Sequence, residues 1–119
     1  ATSGIGYTTN SGGTVAQGSG SGKATGVTLA KVCGTITMDG ASLAADTTVT
    51  FLLTMTGFTL NATDQFVLNH ISVGTFGAYT LNARYASATT MNVDVHNNTP
   101  GALAEAIVIH YSLLRSVAA

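Results

Sequence analysis

Apolar and polar residues alternate with a period of two through most of this chain. In Thr47 to Thr54, Val49, Phe51 and Leu53 fall on one face, with Thr48, Thr50 and Leu52 on the other. In Thr90 to Asn97, Met91, Val93 and Val95 stand opposite Asn92, Asp94 and His96. Successive side chains of a strand point to opposite faces, so each segment predicts a strand with one side buried. The same signal recurs at Val27–Leu29, Cys33–Met38, Phe66–Val73, Tyr79–Tyr85 and Glu105–Leu114. With a weaker entry strand at Thr14–Gln17, the pattern predicts about eight short strands.

Turn-forming residues separate these runs: Asp39-Gly40, Thr56-Gly57, Gly74 to Gly77, and Asn97 to Gly101, which holds the one proline. Gly40–Asp46 and Pro100–Ala106 have helix-compatible composition but room for a single turn each. The expected fold is therefore all-β: a single-domain sandwich, jelly-roll-like, of about eight strands. Residues 1–26, rich in Gly, Ser and Thr, are expected to form an extended, flexible N-terminal arm, and residues 27–119 the sandwich. The last run breaks the alternation. Ile107, Ile109, Tyr111 and Leu113 oppose Val108, His110 and Leu114, so this strand is apolar on both sides and calls for a cover on each. A second copy of the chain is one such cover, which predicts a homodimer or homotrimer.

Composition narrows the function classes. Only 8% of the residues are charged, against about 25% in an ordinary soluble domain, while 45% are hydrophobic. That balance favours a packed domain over disorder. A net charge of −1, with basic residues scattered as Lys23, Lys31, Arg84 and Arg115, gives no patch for nucleic acid or for an anionic membrane surface. The longest uncharged stretches are too broken by Thr, Gly and Asn for a transmembrane helix. The first ten residues lack the basic and apolar regions of a signal peptide, and an intact start after methionine removal is expected.

Candidate chemistry is sparse. Gln17 to Gly26, QGSGSGKATG, looks at first like a phosphate-binding loop, but Gln17 stands where the first glycine of that motif belongs and Ala24 where its hydroxyl belongs. A strand-like run follows it, which also fails the dinucleotide-binding pattern. Asp94 and His96 share a strand face and form the one acid–imidazole pair, able to orient a base or to collect a metal across a symmetry axis; a polar outward face is the simpler reading. His70 and His110 read as interior or interface histidines, and Cys33 as a buried thiol in the apolar phase of its strand. The five carboxylates sit mostly in turn-like segments, which offers no obvious glycosidase pair. Tyr79 and Tyr85 share a face suited to packing. No catalytic, cofactor-binding or metal-binding residues are expected, and no cofactor.

The order of GYTTNSGGTVAQ, KATGVTLAKVCGTITM, TTVTFLLT, ATDQFVLNH, GAYTLNARY and NNTPGALAEAIVIHYSLL resembles a small family of virion structural proteins from tailed bacteriophages and prophages. The most specific parts are Gly12-Gly13-x-Val15-x-Gln17, Thr25-Gly26-Val27-Thr28-Leu29 and Gly101-x-Leu103-x-Glu105-Ala106. The resemblance implies a non-enzymatic capsid decoration or cement protein on the outer surface of the virion, with the major capsid protein as partner. The alternative is a receptor-binding knob of a tail fibre, needle or spike that recognises a host-surface glycan or protein. Val15, Gln17, Val108, His110 and Leu114 are the expected interface residues, a knob would bind through its loops, and the Gly/Ser-rich lead is expected as an adaptable arm along a neighbour or as a plain mobile terminus.

Overall fold

A computed structural model describes residues 11–57 and 59–115. Eight strands form within them: β1 (Gly12–Ala16), β2 (Val27–Thr28), β3 (Cys33–Thr37), β4 (Thr48–Thr54), β5 (Gln65–Ser72), β6 (Tyr79–Ser87), β7 (Thr90–Asn97) and β8 (Val108–Leu114). They build two four-stranded sheets, sheet A in the order β1-β3-β8-β5 and sheet B in the order β2-β4-β7-β6. Most neighbours run antiparallel, but β1 lies parallel to β3 and β2 parallel to β4. The chain is an all-β sandwich, as the alternation predicts.

The inner positions of the two sheets make one core. Sheet A contributes Ile36, Ile109, Tyr111 and Leu113; sheet B contributes Phe51, Leu53, Met91, Val93 and Val95, all of them buried. Each such side chain is worth about 1.5–3 kcal/mol when removed from water, so this doubly apolar seam is what holds two otherwise polar ladders face to face. Phe66 stacks on Tyr111 with ring centroids 5.2 Å apart, and the Tyr111 hydroxyl donates to the Lys31 carbonyl at 2.7 Å. Burial therefore raises the Tyr111 phenol above its ordinary range without leaving it unpaired.

Three expectations meet a different outcome. Gly40–Asp46 and Pro100–Ala106 form no helical turn; they meet instead through an antiparallel bridge between Leu43 and Leu103. Asn97 anchors this junction by donating from Nδ2 to the carbonyls of Leu43, Ala44 and Gly101. Cys33 is half-buried on the outer side of sheet A, because Gly34 and Ile36 take the inner phase of β3. The expected boundary at residue 26 does not separate an arm from the sandwich among the described residues: β1 is a full strand of sheet A, paired with β3 from Gly12↔Cys33 to Ala16↔Thr37. The part of the expected arm before residue 11 lies outside the described residues.

Candidate docking surface

The glycine-rich stretch does cradle an anion, and the anion belongs to the protein itself. Gly20 and Gly22 adopt positive φ of 77° and 93°, a backbone that turns their N–H groups inward. Gly20 donates to Asp39 Oδ1 at 2.9 Å and Gly22 to Asp39 Oδ2 at 3.0 Å, with Ala41 adding a third N–H at 3.2 Å. These backbone donors, Gly20 foremost, hold the Asp39 carboxyl below the usual carboxylate range. Lys23 folds in behind the loop and donates from Nζ to the Asp39 and Glu105 carbonyls. Its burial pulls the ammonium below the ordinary lysine range, against the attraction of Asp39 and Glu105.

Gln17 completes this lock and is not available to a partner. It is 5% exposed, donates from Nε2 to the carbonyls of Lys23 (2.7 Å) and Thr25 (2.9 Å), and accepts from the Asp39 N–H at 2.7 Å. Val15 is likewise drawn inward, where it packs against the core. Of the five residues expected to form a contact surface, these two are therefore structural, while Val108, His110 and Leu114 occupy the outward phase of β8.

The outer face of sheet B is a hydrogen-bonded polar ladder with one exposed apolar residue, Leu52. Asp94 takes the Arg84 guanidinium at 2.7 and 2.9 Å, the Thr50 hydroxyl at 2.6 Å and the Asn82 amide at 3.4 Å. The Arg84 contact holds its carboxyl down at about 2. His96 bonds instead to the Thr48 hydroxyl at 2.7 Å and to Asp46 at 3.0 Å. The two members of the acid–imidazole pair share a face, as their spacing requires, but each has its own set of partners. Among the described residues no three His, Cys, Asp or Glu side chains converge as metal ligands, and no helix is long and apolar enough to cross a membrane.

Sheet A differs in carrying no charged residue on its strands, which read GGTVA, CGTIT, QFVLNHIS and VIHYSLL, without one Asp, Glu, Lys or Arg. Register places Thr14, Thr35, His110 and Asn69 side by side across all four strands, and Cys33, Ser112 and Val67 in the next outward row. Ile71 occupies a bulge in β5 between His70 and Ser72, beside Val108. Leu114, Val67 and Ile71 are 55%, 52% and 47% exposed. The β5–β6 connection continues this apolar margin with Val73 and Phe76. Val73 sits at φ 59°, a costly conformation for a β-branched residue, and the His70 ring nitrogen donates to its carbonyl. Glu105 clamps the same loop, accepting from the Thr75 N–H and hydroxyl and from the Tyr79 hydroxyl.

Val67, Ile71, Val73 and Phe76 are the surface residues that the alternation did not single out. The signal was present in QFVLNHISV, where apolar residues occupy both phases, as they do in β8.

The carboxylates supply a pH dependence with a defined sign. Asp39, Asp94 and Glu105 are all held below their ordinary values, Glu105 chiefly by the Tyr79 hydroxyl and the Thr75 N–H. A lowered folded-state value stabilises the fold above the unfolded carboxyl range and is lost as pH falls through the folded value. Urea midpoints should thus hold steady from pH 7 to about 5 and drop between about 4 and 2. In Asp94→Asn the remaining drop should be smaller; an equal drop would remove Asp94 from this account.

Comparison of the chain with protein-family models, curated proteins and solved structures returned no match.

Proposed function

We propose that this protein is a non-enzymatic adhesive module that docks through the outer face of sheet A. In its most concrete form it is a decoration or cement protein on the outside of a phage head, bound to the major capsid protein. The observation that carries the reading is the contrast between the two sheets: sheet A has no charged residue in any strand and leaves Val67, Ile71 and Leu114 in water. Drying such a face requires no charge to be desolvated and gains about 25 cal/mol per Å² of apolar surface. Sheet B, with Arg84, Asp94 and His96 engaged in a solvated network, is the face suited to remain outside. Many copies bound to the folded shell stabilise it by mass action, without any reaction.

Val108→Asp tests this reading. Val108 is half-buried in the outward phase between Thr37 and Ser72, so an aspartate there keeps a path to water in the free protein, and circular dichroism of the variant checks that the fold survives. Incubated with emptied phage heads stripped of accessory proteins, the wild type should bind in proportion to shell subunits, and Val108→Asp should not bind. Equal binding by both, or a wild type confined to a few copies at the tail, would overturn the assignment; the second result belongs to a fibre knob.

A further inference from the structure

The four sheet ends are not equivalent. β2 is two residues long, β1 has five of which two are glycine, and β5 is kinked by the bulge at Ile71. β6 is the longest of the four, nine residues without proline against eight in β5, and its register with β7 runs unbroken over seven residues, Tyr79 to Tyr85, before a bulge at Ala86. Among the described residues nothing pairs with its outer side.

The direction of its free backbone groups follows from the ladder. Asn98 N–H donates to the Ala78 carbonyl at 2.8 Å, and Tyr79 lies opposite Asn97. Antiparallel strands alternate bonded and non-bonded pairs, so Thr80, Asn82 and Arg84 bond to β7, while Tyr79, Leu81, Ala83 and Tyr85 turn their N–H and C=O groups to the open edge. Among the described residues these four thus offer a row of unpaired donors and acceptors, the template onto which another strand adds.

We infer that β6 pairs antiparallel with β6 of a second copy, about a two-fold axis through Asn82, joining two B sheets into one of eight strands. In this register Leu81 faces the partner's Ala83, and Tyr79 faces the partner's Tyr85. These are the very residues whose backbone groups are free, so each opposing pair exchanges two hydrogen bonds. Tyr85, 40% exposed in the single chain, gains an aromatic neighbour. The one charged residue of the strand, Arg84, lies opposite the partner's Thr80, so no like charges meet. The occupant is a second copy because the segment complements itself in both hydrogen bonding and charge. The inference deepens the adhesive reading while using a different surface, which leaves sheet A free for the shell.

Sedimentation of the full chain tests it. The wild type should form a dimer, and Ala83→Pro, which deletes an edge-facing N–H without touching the β7 ladder, should sediment as a folded monomer. Thr80 reads the register. Thr80→Arg sets two arginine pairs against each other and should weaken the dimer about tenfold at low salt, whereas Thr80→Glu should tighten it about tenfold, both effects shrinking as salt rises. Both variants remove the Thr80 hydroxyl that accepts from Asn98, a bond within one chain, so the difference between their dimer constants reports the partner. Should Ala83→Pro fail to fold, the Thr80 pair decides. A wild-type monomer or trimer, an undiminished Ala83→Pro dimer, or equal constants for the two Thr80 variants would overturn the inference. Val108→Asp should remain dimeric while losing the shell, so failure at the edge and failure at the face are separable.

Discussion

Gln17→Ala lowers the unfolding free energy by about 3 kcal/mol and opens the glycine loop, although the side chain removed is polar. Truncation leaves the carbonyls of Lys23 and Thr25 and the N–H of Asp39 without their partner. An unmet buried group costs about 1–3 kcal/mol, and relaxation of the exposed Ser19 and Gly20 toward water limits the sum of three. Urea unfolding gives the total, and amide exchange locates it: Gly20 and Gly22, now protected by Asp39, should exchange faster, while Ile109 and Val93 in the core strands follow only global unfolding. Gln17→Glu makes the test sharper. It keeps an acceptor for Asp39 N–H but cannot donate to two carbonyls, and it buries a charge. A glutamate as stable as the wild type would show that the amide does not hold the loop.

This loop also marks where sequence reasoning reaches its limit. Eight strands were legible because every inner residue, from Ile36 to Leu113, must meet the opposite sheet, and that demand writes a period of two into the chain. Rejection of a nucleotide loop was equally legible, since it depends on residue identity at fixed spacing. What spacing does not encode is the destination of a polar side chain. Gln17 and Asp39 are 22 positions apart, and nothing in either neighbourhood announces that one amide will bridge them. Glycine-rich composition reads as mobility for the same reason: backbone N–H groups that will find Asp39 look identical to those that will find water. Val15 was misplaced by a smaller margin, because β1 carries only that one large apolar residue and a single residue sets no phase. Val108, His110 and Leu114 were legible as outward because β8 is long enough for its inner set to be recognised.

Gly34→Ala should cost about 3 kcal/mol, from a single added methyl group. Gly34 lies beside Gly13 of β1 and Tyr111 of β8 in the register of sheet A. A Cβ there would stand 2.6 Å from Leu29 Cδ2, 2.7 Å from the Gly13 carbonyl oxygen and 3.3 Å from Tyr111 Cε1. Leu29 is able to change rotamer. The Gly13 carbonyl is backbone in the neighbouring strand, so relief requires β1 to move away from β3 or Tyr111 to lose its stack on Phe66. The first route breaks the edge pairing from Gly12 to Ala16 and pulls on Gln17, which follows directly in the chain; loss of amide protection should therefore spread from β1 into the glycine loop. Gly101→Ala supplies the contrast, because a Cβ at that position meets nothing within 4 Å and the backbone is not left-handed. That variant should stay within about 0.5 kcal/mol of the wild type. If the two alanines cost the same, close approach at Gly34 is not what closes the β1 edge of the sandwich.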